Sequence, residues 1–279
     1  MYDDGASGAQ APAGVGMPKI NLEGLIPLIL LVVIGIASLN YFNVIDIPYL
    51  PSGSDHMQVL FIGQPSLGER TVLDSLDHTL TYRIRDPKSF GNAASEELSQ
   101  YDIIILDQSM TEKSVSVSFG EAVQTYVQKG GKLIVVLNSG IYQSVGLSGA
   151  TAIDAVGWKA NFEDLIPAEC VLGQDNVPTC KEGREVTVVG RVRREDFDHE
   201  IMSGIEMTPS ADLPPYTLTT LDIRPDEGAH RIAYILSETG QRFDAILEKK
   251  SFLAGKVIYF NYDPGFTPNI FTRTINYLK

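Results

Sequence analysis

The chain has 279 residues, enough for one α/β domain of ordinary size beside a shorter segment. Its formal net charge is −13 and its sequence pI is about 4.7. So acidic a surface repels nucleic acid and anionic lipid, which excludes DNA or RNA as a partner.

The first element in chain order is an uncharged apolar stretch. No charged residue lies between Glu23 and Asp46, and residues 25–42 read LIPLILLVVIGIASLNYF. A helix needs about 20 apolar residues to cross a bilayer. We therefore expect a single transmembrane helix over residues 21–45, with the lipid bilayer as its partner. The alternative is a signal peptide cleaved near residues 35–37.

The segments that flank this stretch are poor in large apolar residues. Residues 1–20 are rich in Gly, Ala and Pro, which predicts disorder, and residues 46–56 are expected to form a short stalk. Lys19 is the only Lys or Arg before the stretch, and the next is Arg70. The positive-inside rule then favours a single-pass protein of the cell membrane with its head extracytoplasmic.

The head, residues 57–279, alternates apolar runs with amphipathic segments. The runs predict strands at residues 57–62, 80–85, 102–106, 133–137, 185–193, 231–236, 243–247 and 256–261. Helical spacing predicts helices at residues 66–76, 93–100, 119–127 and 268–278. The strand–helix–strand unit from 102 to 137 indicates a parallel sheet. Residues 140–225 show no clear pattern apart from one strand and predict an irregular excursion.

Four turns follow predicted strands and are expected to meet at one edge of the sheet, where open α/β sheets bind ligands. They are residues 63–65, 107–109, 138–140 and 263–265. Each is also an ordinary turn sequence. The candidate ligand-binding side chains they offer are Gln64, Gln108, Asn138, Ser139 and Asp263.

The catalytic candidates are Ser139, His199 and Asp107. Ser139 follows a buried strand, where an elbow nucleophile would stand, but no G-x-S-x-G or G-x-C-x-G is present. His199 lies in the acidic sequence DFDHE, which suits a base. Each of these residues also reads as a turn or loop residue with a structural role. No cofactor or metal motif occurs in the sequence, so we predict neither.

The two cysteines, Cys170 and Cys180, are separated by a segment containing Gly, Asp, Asn and Pro. Such a segment can turn back on itself, so a disulfide is expected if the head lies in an oxidising compartment. Two unrelated thiols are the alternative.

Three segments in order carry a family resemblance: YDIIILDQSMT…FGEAVQTYVQKGGKLIVVLNSG over residues 101–140, DHEIMSGIE over 198–206 and FDAILEKKSFLAGKVIYFNYDPG over 243–265. Together they resemble the class I glutamine amidotransferase-like superfamily, in the branch that includes trehalose-utilisation-type proteins. The resemblance covers residues 57–279 and implies a flavodoxin-like, doubly wound, mainly parallel sheet. The elbow Cys and the downstream His–Glu pair of the amidotransferases are missing, as is the elbow His of the trehalose-utilisation type. The resemblance thus implies the fold without its chemistry.

These features together predict a membrane-anchored, non-catalytic domain on the outer face of a prokaryotic cell membrane. It would bind a ligand or an envelope protein partner. One alternative is a hydrolase or isomerase acting on a sugar-like or amide substrate, which requires Ser139 and His199 to lie about 3 Å apart or to share one water. Another alternative is a structural subunit of a surface assembly.

Overall fold

A computed structural model describes residues 22–41, 56–91, 93–145, 150–251 and 254–279. The chain divides into two compact units, residues 1–54 and residues 55–279. The disordered segment expected over residues 1–20 lies outside the described residues, as does the expected stalk apart from its last residue, His56.

In the first unit the described element is one helix, α1 (Leu22–Tyr41). Its apolar side chains from residue 28 to residue 34 are each at least half exposed. The transmembrane helix expected over residues 21–45 is not found: within the described residues, no helix has both the length and the apolar character needed to cross a membrane.

The second unit contains the remaining helices and all the described strands. The helices are α2 (Leu67–Ser75), α3 (Ala94–Leu98), α4 (Val117–Gln128), α5 (Lys159–Phe162) and α6 (Pro268–Leu278). The strands are β1 (Met57–Gly63), β2 (Leu80–Arg85), β3 (Ile103–Asp107), β4 (Ser114–Ser116), β5 (Lys132–Val136), β6 (Tyr142–Val145), β7 (Ala150–Val156), β8 (Ala168–Cys170), β9 (Val186–Arg194), β10 (Met207–Thr208), β11 (Tyr216–Thr220), β12 (Ile223–Pro225), β13 (His230–Ser237), β14 (Arg242–Lys250) and β15 (Lys256–Phe260). Every strand and helix predicted over residues 57–279 is present, with ends shifted by no more than three residues.

A ten-stranded sheet forms the centre of this unit, in the order β10-β9-β13-β14-β15-β5-β3-β1-β2, with β11 also paired to β9. The strands β2, β1, β3, β5 and β15 are parallel and follow the flavodoxin-like order, which confirms the expected doubly wound core. The other five strands extend the sheet in antiparallel pairs, so the parallel part is one half of it.

The central strands form because their sequences are apolar on both faces. Every residue of β3 is buried, as a strand covered on both sides requires. Helices α2 and α6 pack together, and α3 packs with α4, which supplies the two covering layers. Helix α2 begins at a capping box, in which Ser66 and Glu69 exchange hydrogen bonds through their side chains and backbone amides.

Residues 140–225 differ from the expected irregular excursion. They hold β6 to β12 and α5, and β9, β10 and β11 join the central sheet. The other strands of the stretch form two small sheets: β6 and β7 join the earlier strand β4, and β8 pairs with β12. Apart from β7 and the predicted β9, these strands are two to five residues long, which is too short for an alternating pattern to stand out from loop sequence.

The expected disulfide between Cys170 and Cys180 is confirmed. The two Cα atoms lie 5.3 Å apart, and the chain between them folds back through a bridge between Leu172 and Pro178. The loop closed by the disulfide contacts the turn that follows β5: the carbonyl of Cys180 accepts a hydrogen bond from Asn138 Nδ2 at 3.4 Å.

Candidate functional site

The turn after β5 has the backbone of a strained elbow, and the strained residue is Leu137. Its φ is +50°, and its amide donates to the carbonyl of Phe260 on the neighbouring strand at 2.7 Å. A left-handed conformation costs a residue with a Cβ about 1–2 kcal/mol. In a nucleophile elbow the attacking side chain sits on such a strained turn. Ser139, expected at that position, lies two residues further on.

Ser139 is held entirely within the protein. Its side chain is fully buried, and its hydroxyl donates to the carbonyl of Val136 at 2.6 Å. The same oxygen accepts the amide of Gln108 at 2.7 Å, and the Ser139 carbonyl accepts the indole N–H of Trp158 at 2.9 Å. The hydroxyl therefore links the turn after β5 to the turn after β3.

Gln108 and Asn138 are engaged in the same way. Gln108 Oε1 accepts the amide of Gly140 at 2.8 Å, and Nε2 donates to the carbonyl of Glu112 at 2.6 Å. Asn138 Nδ2 donates to a carboxylate oxygen of Glu185 at 2.7 Å. Among the ligand-binding candidates, Gln64 is exposed and lies directly after β1. The structure thus brings the predicted turns together, but it uses most of their polar groups to tie the loops to one another.

A buried acidic pair lies at this edge, formed by Glu69 of α2 and Asp107 of β3. Both side chains are fully buried, and each keeps one carboxyl oxygen without a partner other than the pair itself. Burial raises the pKa of Glu69 well above its usual range, and repulsion from Asp107 raises it further. Burial also raises the pKa of Asp107, to about 6, against the lowering effect of hydrogen bonds from Ser109. Because burial raises the pKa of both groups, we infer that the pair keeps one proton between its two carboxyls.

Asp263 borders this pair and fixes the turn after β15. Its Oδ1 accepts from the Ser66 hydroxyl at 2.9 Å and from the Gly265 amide at 2.8 Å. Burial raises its pKa. Glu69, which was not among the predicted site residues, could have been found from its place in the Ser-x-x-Glu capping box followed by an apolar helix face.

His199 lies elsewhere, in the loop after β9. The imidazole is 8% exposed; its Nδ1 accepts the amide of Ile201 at 3.3 Å, and its Nε2 lies 3.4 Å from Glu248 Oε2. This pattern assigns the proton to Nε2, which donates to the carboxylate.

Glu248 is the centre of a hydrogen-bond network with His199. The Tyr277 hydroxyl donates to its Oε1 at 2.6 Å, and the Lys250 ammonium lies 3.2 Å from its Oε2. Burial opposes ionisation of Glu248, but hydrogen bonds from His199, Tyr277 and Lys250 outweigh it and lower the pKa to about 2. Burial and the bond to Glu248 raise the pKa of Tyr277. Glu248 therefore carries a negative charge at any physiological pH.

A second histidine stands beside the first. The rings of His199 and His230 stack with centroids 6.0 Å apart, and His230 Nε2 lies 2.7 Å from Asp196 Oδ2. No sequence pattern indicates this pair, since the two histidines are 31 positions apart and meet because β13 pairs with β9. A cavity of 410 Å³ opens over the cluster.

Ser139 and His199 belong to opposite ends of the parallel strands. Ser139 follows the carboxyl end of β5, whereas Lys250 of the histidine cluster pairs with Lys256 at the amino end of β15, a strand parallel to β5. None of the described contacts of Ser139 involves His199 or one of its partners. The geometry required by the hydrolase alternative is therefore not found between these two side chains.

No family model and no curated protein matches the chain. Three solved structures are similar to it at low identity. A β-galactosidase from Rahnella sp. R3 is 13% identical over 78% of this chain and 31% of that chain, with a TM-score of 0.49. The mmIFT52 N-terminal domain is 12% identical over 79% and 96%, with a TM-score of 0.46. A putative GMP synthase subunit protein from Thermoplasma acidophilum is 13% identical over 80% and 96%, with a TM-score of 0.41.

The chain spans less than a third of the β-galactosidase that it matches. The strand order of the central sheet, rather than these similarities, establishes the fold. The trehalose-utilisation branch of the resemblance finds no support in these three structures.

Proposed function

We propose that this chain is a membrane-tethered, non-catalytic domain of the amidotransferase-like fold that binds a partner protein. The observation that carries the non-catalytic part is Leu137. The strained elbow backbone is present, but its side chain is apolar and buried, and it has no atom that could attack a carbonyl.

The hydrogen bonding around the elbow supports the same proposal. A nucleophile needs a base within hydrogen-bond reach and a free approach for substrate. The hydroxyl that this turn itself contains, that of Ser139, is fully buried and hydrogen-bonded to Val136 and Gln108. Its removal would loosen two loops, as expected of a scaffold position.

Membrane attachment is proposed from the uncharged sequence between Glu23 and Asp46. The apolar side chains that α1 exposes over residues 28–34 need cover from lipid or protein. The disulfide between Cys170 and Cys180 supports an extracytoplasmic head, because such bonds persist in oxidising compartments.

The non-catalytic part predicts that the full chain in detergent micelles has no hydrolytic activity. Glutamine, small esters and small amides should be turned over no faster than in a buffer blank, and an electrophilic glutamine analogue should leave no adduct by mass spectrometry. Ser139→Ala and His199→Ala should match wild type. Turnover that is abolished by either substitution would contradict the proposal and support the hydrolase alternative.

The anchoring part predicts that Leu30→Lys together with Ile34→Lys releases the chain from membranes. Each lysine near the middle of a membrane-embedded helix costs about 2.5–3.5 kcal/mol. After carbonate washing, we expect wild type in the membrane pellet and most of the double variant in the supernatant. Leu67→Lys with Phe266→Lys is the matched control, because both are exposed apolar residues of the second unit, and it should pellet like wild type. A wild-type chain found in the supernatant would overturn the anchor.

A further inference from the structure

The cavity over the histidine cluster has features of a built recognition site. It is lined by the loop after β9, the start of β13, the end of β14 and the end of α6. Its lining residues include Asp196, Asp198, His199, Glu200, His230, Glu248, Lys250 and Tyr277. Most of these side chains bear charge or can hydrogen-bond, and four separate segments supply them. Such convergence is uncommon on a surface that serves solubility alone.

The charge of the cavity is negative. Four carboxylates line it against one ammonium, that of Lys250, so with neutral imidazoles the negative charges are in clear excess. Glu248 at the base is 1% exposed and already accepts from three donors. Its charge is therefore fixed in place and adds to the field that a ligand meets.

Two carboxylates at the mouth are free to bind a ligand. Asp198 and Glu200 are exposed, and neither carboxylate forms an ion pair with a described residue. Glu200 lies near enough to Tyr277 to act on its hydroxyl electrostatically. The mouth of the cavity thus presents two carboxylates that form no ion pair with a described residue.

Flat rings form the remaining wall. The Tyr277 and His199 rings lie 4.9 Å apart, and His199 stacks on His230. Tyr277 already accepts the Lys256 ammonium against its ring, at 3.8 Å from the centroid. Carboxylates beside aromatic rings are the surroundings that a guanidinium prefers, because it pairs through a planar fork and stacks on rings.

We propose that this cavity binds the guanidinium group of an arginine side chain on the partner protein, with Asp198 and Glu200 pairing with it and the histidine and tyrosine rings packing against it. A metal ion fits less well, because the described residues include no cluster of three or more His, Cys, Asp or Glu side chains arranged to hold one. The assignment rests on the proposed role as a binding domain and identifies where and how the partner is recognised. It places recognition at the amino end of the parallel strands, away from the elbow.

The test uses the full chain in detergent micelles, labelled with ¹⁵N-histidine and titrated with N-acetyl-L-arginine amide. The four histidines give an internal comparison, since His56 and His78 lie outside the cavity. We expect the imidazole signals of His199 and His230 to shift saturably and those of the other two to stay in place. The citrulline analogue has the same shape without the charge and should cause no shift.

Two double variants separate a site from general attraction to a chain of net charge −13. The double variant Asp198→Asn with Glu200→Gln should bind the arginine probe at least tenfold more weakly than wild type. Glu96→Gln with Glu121→Gln neutralises two exposed carboxylates on α3 and α4 and should leave the affinity within twofold of wild type.

Several outcomes would overturn the assignment: no saturable shift, equal weakening in both double variants, or equal binding of the citrulline analogue. Equal binding of the lysine analogue would overturn the choice of a guanidinium. The Asp198→Asn/Glu200→Gln variant should still pellet with membranes and lack turnover. A failed titration with those two results intact therefore refutes the cavity alone, whereas turnover or release from membranes refutes the proposed function.

Discussion

Gly63→Ala is expected to lower the free energy of unfolding of the second unit by at least about 3 kcal/mol. Gly63 ends β1 at φ +110°, and an added Cβ would lie 1.8 Å from the carbonyl oxygen of Asp107 and 2.7 Å from its carbonyl carbon. Both atoms are backbone, so no side-chain rotation can make room. The clash would separate β1 from β3, the strand that ends in Asp107 of the acidic pair.

The cost has two parts, and a second glycine isolates one of them. Gly183 also has a positive φ, +82°, but an added Cβ there meets nothing within 4 Å. Gly183→Ala should therefore show only the backbone preference, about 1 kcal/mol. Urea unfolding followed by the fluorescence of Trp158, the single tryptophan and a buried one, measures both variants. Equal losses in the two variants would show that β1 does not approach the Asp107 carbonyl this closely.

Much of the fold follows from short-range pattern. The sequence IIIL before Asp107 is buried on both faces, and runs of this kind predicted the parallel strands to within a residue at most ends. In the antiparallel half, β9, β13 and β14 were predicted, whereas β10 and β11 were not, because they are two and five residues long and are held mainly by their pairing with β9. Elements of that length have little pattern to detect.

The sites depended on long-range packing that single-sequence patterns do not show. Leu137 adopts a left-handed conformation while its amide bonds to Phe260, on a strand more than 100 residues later, whereas the sequence LNSG alone reads as an ordinary turn. His199 was recognised from its acidic neighbours, but His230 joins it only after β9 and β13 pair. The positions of the turns could thus be predicted, whereas their chemistry could not.

The stability of Asp107→Asn relative to wild type is expected to increase as pH rises from 4 to 8. Asp107 has a folded pKa of about 6, raised by burial from a usual value of 3.8. A raised carboxyl pKa means that the folded state holds its proton more tightly than the unfolded state does. The stability it contributes is therefore fully present below pH 4 and is lost as pH rises through 6. Two pKa units correspond to about 3 kcal/mol, and asparagine removes this loss.

Glu69→Gln tests the shared proton from the other side. Glutamine imitates the protonated acid, since its amide can donate to Asp107 while its oxygen keeps the bond from the Ser66 amide, now 2.8 Å from Glu69 Oε2. The advantage over wild type should again grow with pH, because the pKa of Glu69 is also raised. Glu121→Gln, at an exposed position of α4, is the control and should follow wild type at every pH.

Each variant must be compared with wild type at the same pH, because other carboxylates change the stability of the protein with pH in the opposite direction. The pKa of Glu248 is about 2, so the network it forms with His199, Tyr277 and Lys250 stabilises the fold above pH 4 and weakens as pH falls toward 2. Wild-type stability alone mixes the two effects, whereas the difference between wild type and Asp107→Asn cancels the Glu248 contribution. A difference that stays constant from pH 4 to pH 8 would mean that Glu69 and Asp107 do not share a buried proton. A difference that grows would identify the carboxyl edge of the sheet as a proton-holding part of the scaffold.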